Sequence, residues 1–202
     1  MIIDLHTHEW LGSACSRMTV EQAIISARER KLDGICITNH DNMVIREAEC
    51  MRTLDFPVFV GVEMTVEEGD IIAFGVEWIP VRTVSAQEFI DCVNAQGGFC
   101  YAAHPYRDGN GLADHVFHVT GLHGIEVWNG ANLEQENQKA VAACQRLGLV
   151  AVGGSDAHFS GDVGNCATWF PSPVTSLDEL VAALKKGDCR PVMKTADKQW
   201  RF

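Results

Sequence analysis

Val150-Ala-Val-Gly-Gly-Ser-Asp-Ala-His158 runs a short apolar stretch directly into a serine, a carboxylate and an imidazole. The chain opens in the same way, with Ile2-Ile3-Asp4-Leu5 leading into His6-Thr7-His8. Between these ends, Ile35-Cys36-Ile37-Thr38 leads to Asn39-His40-Asp41, Phe59-Val60-Gly61-Val62 to Glu63, and Cys100-Tyr101-Ala102-Ala103 to His104-Pro105. Short runs rich in Val, Ile and Phe read as strands. Polar residues able to do chemistry therefore stand just past at least five strand-like runs. A doubly wound sheet gathers its ligand at one switch point, whereas a barrel converges all its strand tips on one place. The pattern predicts an α/β chain folded as a distorted TIM-like barrel, with the site at the C-terminal ends of the strands.

The predicted strands are Met1–Leu5, Gly34–Thr38, Phe56–Val62, Ile71–Trp78, Gly98–Ala103, Gly124–Trp128 and Leu149–Val152. Helical patterns alternate with them. Thr19-x-x-Gln22, Ser85-x-x-Glu88 and Ser176-x-x-Glu179 are capping boxes. Val20–Lys31 repeats apolar residues at helical spacing, and Gln135–Leu147 ends before Gly148, a C′ glycine. No linker, repeat or low-complexity stretch interrupts the alternation, so residues 1–202 read as a single domain.

With 47% hydrophobic and 21% charged residues, the composition is that of a globular chain rather than a disordered, collagenous or coiled-coil one. At 202 residues one core buries roughly 70% of the unfolded chain's surface, so no metal or disulfide staple is required. A metal site here is then functional rather than structural. The balance of 16 basic against 27 acidic residues gives a net charge of −11, which argues against long nucleic acid as a partner. Small anions stay open, because a bound divalent cation outweighs a local negative field. The eight cysteines, at 15, 36, 50, 92, 100, 144, 166 and 189, form no CxxC pair and mostly sit in apolar stretches. They read as free thiols in a reducing cytoplasm. No secretory leader and no membrane-length apolar run are expected.

The residue types point to metal. His6 and His8 lie two apart on an extended segment and so face the same side, and Asp156 and His158 repeat that spacing. His40, Glu63 and His104 add further donors. Imidazole with carboxylate suits Zn, Mn or Fe, whereas Mg prefers oxygen. Seven donors exceed what one tetrahedral ion uses, so two or more ions sharing a carboxylate follow, with Glu63 as the bridge. His115, His118 and His123 lie away from C-terminal strand tips and read as ordinary core or surface groups. Glu126, mid-strand between Ile125 and Val127, is a ligand, a partner of a ligand, or half of a buried ion pair.

Asp-Leu-His6-Thr-His8, Thr-Asn-His40-Asp41, Gly-Val-Glu63, Ala-His104-Pro105-Tyr-Arg107 and Gly-Ser-Asp156-Ala-His158 together resemble the successive motifs of the PHP (polymerase and histidinol phosphatase) family, over residues 1 to about 170. The resemblance implies a distorted (β/α)7 barrel, two or three Zn, Mn or Fe ions, and phosphoester hydrolysis. Two places depart from the family pattern. Its ligand in the loop after His-x-His is absent, and Cys15 is the nearest replacement, either as a thiolate ligand or as a loop residue. Its histidine on the strand after the Glu motif is replaced by Ile72. One or two ions, and at most three, are therefore expected.

The function this implies is hydrolysis of a small phosphoester by a metal-activated water. His6, His8, Glu63 and Asp156 would hold one ion, and His40, His158, His104 and Cys15 the rest. Asp156 or His158 would orient the water or protonate the leaving group. Arg107, and more weakly Arg17, would grip the phosphate. The rivals are a metal-dependent amide or lactone hydrolase and a non-catalytic metal-binding module. The first commonly uses a carbamylated lysine, yet no lysine (31, 139, 185, 186, 194 or 198) stands at a predicted strand tip. Substrate identity and oligomeric state are not legible.

Overall fold

The computed structural model describes residues 1–48, 51, 55–195 and 199–201; Cys50 and Lys198 lie outside them. The strands are β1 (Ile2–Thr7), β2 (Gly34–Ile37), β3 (Val58–Val60), β4 (Val62–Val66), β5 (Gly69–Phe74), β6 (Phe99–Ala102), β7 (Gly124–Asn129), β8 (Val150–Gly154), β9 (Cys166–Trp169), β10 (Arg190–Lys194) and β11 (Trp200–Arg201). The helices are α1 (Val20–Glu29), α2 (Ala86–Ala95), α3 (Glu134–Leu147) and α4 (Leu177–Lys186).

The strands form a six-stranded sheet, β11-β10-β9-β1-β2-β3, and a five-stranded sheet, β4-β5-β6-β7-β8. The barrel expectation is therefore corrected: this is an α/β fold of two mixed sheets, and no closed barrel forms among the described residues. Two features prevent closure into one parallel ring. Residues 62–74 fold as an antiparallel hairpin, with Glu63 opposite Ile72 and Thr65 opposite Asp70. The C-terminal strands β9 and β10 also run antiparallel to their neighbours. The sheets meet at two seams carried by isolated bridges, Thr7 with Ala157 and His40 with Glu63. Gly61 turns the chain between β3 and β4, and a side chain there would overlap the Phe74 ring and the Ala73 carbonyl.

Local chemistry sets the helix starts. Thr19 and Ser85 each accept from the N3 backbone while Gln22 and Glu88 reach back, two reciprocal capping boxes. Ser176 accepts from Glu179 N at 3.2 Å, but the Glu179 carboxylate turns to Thr175 instead, so that box is half formed. Gly148 adopts φ 65°, the left-handed conformation that ends α3. Phe89, Ile90 and Val93 of α2 bury against β5 and β6, and Leu180 and Leu184 of α4 pack with Phe74, Phe99 and Tyr101. This packing leaves the two seams as the place where polar residues collect.

Candidate metal centre

At both seams, donors from the two sheets face one another. His6 and His8 come from the end of β1, His40 follows β2, Glu63 lies on β4, His104 follows β6, and Asp156 and His158 follow β8. His6, His8 and Glu63 are fully buried, His104 and Asp156 nearly so. Backbone bonds tie the seams: His8 N to Ala157 O at 2.9 Å, Asp156 N to His6 O at 2.8 Å, and Asp41 N to Glu63 O at 2.9 Å. Three residues here carry a positive φ without being glycine: Asp41 (55°), His104 (27°) and Asp156 (55°). Such strain concentrates where function dictates geometry.

The distances between donors define a coordination shape. The Nε2 atoms of His6 and His8 are 3.1 Å apart. Glu63 Oε2 lies 3.3 Å from the first and 3.1 Å from the second, and Asp156 Oδ1 lies 3.3 Å from each. A regular tetrahedron with metal–ligand bonds of about 2.0 Å has edges of about 3.3 Å. Five of its six edges are thus present. Glu63 uses its other oxygen, Oε1, 2.9 Å from His104 Nε2, while Oε2 is also 3.3 Å from His40 Nδ1.

Two further groups of donor atoms adjoin this one. His8, Cys15, His40 and His158 form one, and Glu63, Asp70 and His104 the other, with all atoms in each group within 4.8 Å. The rings of His40 and His158 stack on His8 at 4.7 and 4.3 Å. Among the described residues, Glu63 Oε2 and His104 Nδ1 are buried polar atoms with no hydrogen-bond partner. An orphaned carboxylate oxygen among three imidazole nitrogens is costly unless a cation sits there. The residues present therefore fit divalent metal.

Electrostatics agree. Burial opposes a charge on His6, yet Asp156, Glu63 and Glu126 outweigh it and hold the imidazole well above its ordinary pKa. Burial likewise opposes the Glu63 carboxylate, but His6 and His104 keep it well below the usual carboxylate range. Burial, then the nearby carboxylates of Glu63 and Asp156, push the Cys15 thiol up, and burial with Glu63 does the same to Asp70. The pocket is electronegative, and a cation would relieve it.

Glu126 pairs with His6 in the buried interior. Its Oε1 lies 3.0 Å from His6 Nδ1 and its Oε2 accepts from His104 N at 2.8 Å, contacts through which it would orient His6, and it joins none of the donor groups among the described residues. Arg107 spends its guanidinium on protein: Nη1 donates to Asp156 Oδ2 at 2.6 Å, Nη2 to Asn129 at 2.8 Å and Nε to Asn132 at 2.9 Å. Arg17 is exposed, and its backbone N donates to His158 O at 3.1 Å. Cys15 is exposed on the loop after β1, which Glu9 shapes by accepting from Leu11 N, Gly12 N and Asn39 Nδ2. Ile72 packs in an apolar cluster with Phe74 and Tyr101. Asp70, two residues earlier on the same strand, reaches the site instead.

Sequence reading missed Asp70 because it looked for ligands at C-terminal strand ends. β5 runs antiparallel, so its N-terminal end is the one beside the site. His123 accepts from Cys100 N at 3.1 Å and His115 belongs to a 3-10 turn; neither joins a donor group, and nor does His118. Among the described residues, no helix is long and apolar enough to cross a membrane.

Residues 134–189 match the family model for PHP-associated sequences. The motif resemblance to the PHP family is thereby upheld. The chain is 29% identical over 175 residues to uncharacterized protein MJ0417 of Methanocaldococcus jannaschii, spanning 82% of this chain and 68% of that protein. Its fold is similar to that of PsfC from Pseudomonas syringae PB-5123, with TM-score 0.75, 19% identity, and 98% and 92% of the two chains covered. It is also similar to a protein assigned as a metal-dependent phosphoesterase from Bifidobacterium adolescentis, with TM-score 0.66, 18% identity, and 90% and 96% covered. Endonuclease Q from Pyrococcus furiosus shares the fold at TM-score 0.70 and 16% identity, over 94% of this chain and 57% of that one. At these identities the likeness to solved structures is one of fold.

One expectation is overturned by the last comparison. Endonuclease Q has been solved with a 27-mer duplex whose abasic lesion lies at the active site, and that structure matches with TM-score 0.69. Net charge therefore does not exclude long nucleic acid from this fold. The figure of −11 sums the whole surface and says little about the local field around a cation-loaded site.

Proposed function

We propose that this protein is a metal-dependent hydrolase of phosphoesters. The observation that carries the reading is the near-tetrahedral set of His6, His8, Glu63 and Asp156 donors, with five mutual distances of 3.1–3.3 Å. Bound divalent ions, Zn, Mn or Fe, lower the pKa of water towards neutrality and offset charge on phosphoryl oxygens. Glu63, with Oε2 facing His6, His8 and His40 and Oε1 facing His104, would be the carboxylate shared between ions if more than one is held. His40, His158, His104 and Cys15 are the remaining ligands, and Asp70 joins His104. Cys15 on the open side would become a thiolate only with an ion bound to offset the neighbouring carboxylates, and that thiolate would favour Zn.

Asp156 stays ionised beside the imidazoles and Arg107, so it holds its position and accepts a hydrogen bond rather than donating a proton. His158 would pass a proton to the leaving group only when it is not ligating an ion, and burial and then His8 hold its imidazole below the ordinary pKa. It is partly exposed, with Nδ1 3.0 Å from Asp156 O. Arg107 presents a guanidinium, one-quarter exposed, beside Asp156 and takes one face of a phosphoryl group. Arg17 lies further out on the rim. A small phosphoester is the finer reading of the substrate. The seven free cysteines among the described residues support a reducing, cytoplasmic setting.

Phosphate release from a panel of phosphomonoesters and phosphodiesters, with the protein loaded separately with Mn and Zn, tests the reading. Turnover that needs metal and disappears in Asp156→Asn supports it. Full metal loading without release from any ester refutes it.

A further inference from the structure

One polar residue beside the centre has a bonding pattern that no ligand role explains. Asn129, the last residue of β7, is buried. Its Nδ2 donates to Glu126 Oε2 at 2.9 Å and lies 3.5 Å from Asp156 Oδ2. Its Oδ1 accepts from Arg107 Nη2 at 2.8 Å and from Ala131 N at 2.9 Å. Its own backbone is clamped by Asn137, which accepts from Asn129 N and donates to Asn129 O, both at 3.1 Å. β7 shifts register against β8 between Glu126 and Trp128, and this irregularity precedes Asn129.

These bonds close a circuit. His6 Nδ1 meets Glu126, Glu126 meets Asn129, Asn129 meets Arg107, Arg107 meets Asp156, and Asp156 Oδ1 returns to His6 Nε2 at 3.3 Å. The link between Glu126 and Arg107 must donate to a carboxylate on one side and accept from a guanidinium on the other. A carboxamide does both in a single orientation. Aspartate would set oxygen against oxygen, and leucine would leave the buried Glu126 carboxylate and the part-buried Arg107 guanidinium each short of a partner.

We propose that Asn129 is a positioning residue of the metal centre: it fixes Glu126 so that His6 carries its proton on Nδ1 and offers Nε2 to an ion, and it fixes Arg107 so that Asp156 keeps its place in the same donor set. The inference rests on the metal-dependent reading but concerns ion binding, not turnover. Its influence runs through partners of ligands, where loss typically costs ~10–100-fold in metal affinity.

The test uses the full chain, Mn²⁺ or Zn²⁺ alone as the probe, and no substrate. Asn129→Leu should lower ion affinity about 10-fold or more with an unchanged circular dichroism spectrum. In nitrogen-15 histidine spectra of the Zn²⁺-loaded protein, the single Nδ1–H signal of His6, assigned by its loss in Glu126→Gln, should become a mixture of tautomers. Asn129→Asp keeps the side-chain volume if the leucine variant fails to fold, and it should scramble the same signal. An intact His6 signal with ion affinity within about twofold of wild type, in either folded variant, overturns the proposal. If ions bind and Asn129 matters, but no phosphoester is hydrolysed, the functional reading fails and this inference survives.

Discussion

The two halves of the metal centre are built differently. The inner donors, His6, His8, Glu63, His104 and Asp156, are buried, and partners beyond the ligand set hold them: Glu126 on His6, Ser13 Oγ 3.4 Å from His8 Nδ1, and Arg107 on Asp156. The outer donors are open. Cys15 is exposed, and the side chains of His40 and His158 are 32% and 25% accessible. Their support is backbone, through Ser13 Oγ on His40 N and Asp156 O on His158. A preorganised buried set binds an ion tightly and releases it slowly, whereas a set on mobile, solvated side chains exchanges. On the proposed reading, the inner half would be the resident site and the outer half the place where an ion and substrate exchange.

The severest way to break this contrast is at the bridge. Glu63→Gln removes the carboxylate that faces His6, His8 and His104 of the inner half and His40 of the outer half and should cost more than the ~100-fold that loss of an outer partner costs, in activity and in metal content alike. Loss of metal from one half only, measured by mass spectrometry of the native protein, would show that Glu63 does not bridge. Next in size, Arg107→Ala removes a charge-assisted bond worth ~1.5–3 kcal/mol. It should lower ion affinity as Asn129→Leu does and, at saturating metal, raise KM for a phosphorylated substrate roughly 10-fold or more; an unaltered KM at saturating metal removes Arg107 from the substrate site. Cys15→Ser should sharpen the contrast, weakening only the outer ion and shifting its preference from Zn towards Mn. Equal weakening of both ions would erase the distinction between the halves.

Smaller effects test the frame. Gly61→Ala places a methyl within 2.4 Å of the Phe74 ring, at the seam beneath the bridge. Overpacking of this kind costs about 1–3 kcal/mol, read as a lower denaturation midpoint. Far from the centre, His123 is a control. Burial and then Lys185 hold its pKa below the ordinary value, and it accepts from Cys100 N. The folded state prefers the neutral ring, so this contribution is complete above the ordinary value of about 6.5 and is lost as pH falls below it. His123→Asn should flatten the stability profile between about pH 7 and pH 5; an unchanged slope would assign the acid sensitivity elsewhere.

Much of the inner half was legible because parallel strands carry their polar residues to a shared edge. His6 and His8 project one way from β1, and Asp156 and His158 repeat the spacing after β8. The same rule misled where the chain reverses. Closure into a barrel was inferred from strand tips alone, and the tips do converge, but through two seams rather than a continuous ladder. The hairpin of β4 and β5 brings the N-terminal end of β5 to the site, which placed Asp70 beyond a search for C-terminal ends. The strands β9 to β11 went unread because Cys166–Trp169 and Arg190–Lys194 are short and mixed in polarity. Asn129 carries no spacing signal: its meaning lies in partners at positions 107, 126 and 156 that only the fold assembles. Charge misled for a related reason, since a global sum does not describe a local field.

The most direct measurement is hydrolysis by protein loaded with one metal at a time, Mn or Zn, on a panel that runs from phosphomonoesters through short phosphodiesters to duplex DNA with an abasic lesion. Wild type should release product only when metal is bound, and Asp156→Asn and Glu63→Gln should abolish that release. Metal-loaded protein inert towards every phosphoester, or turnover that persists in Glu63→Gln, would contradict an account built on the bridged centre.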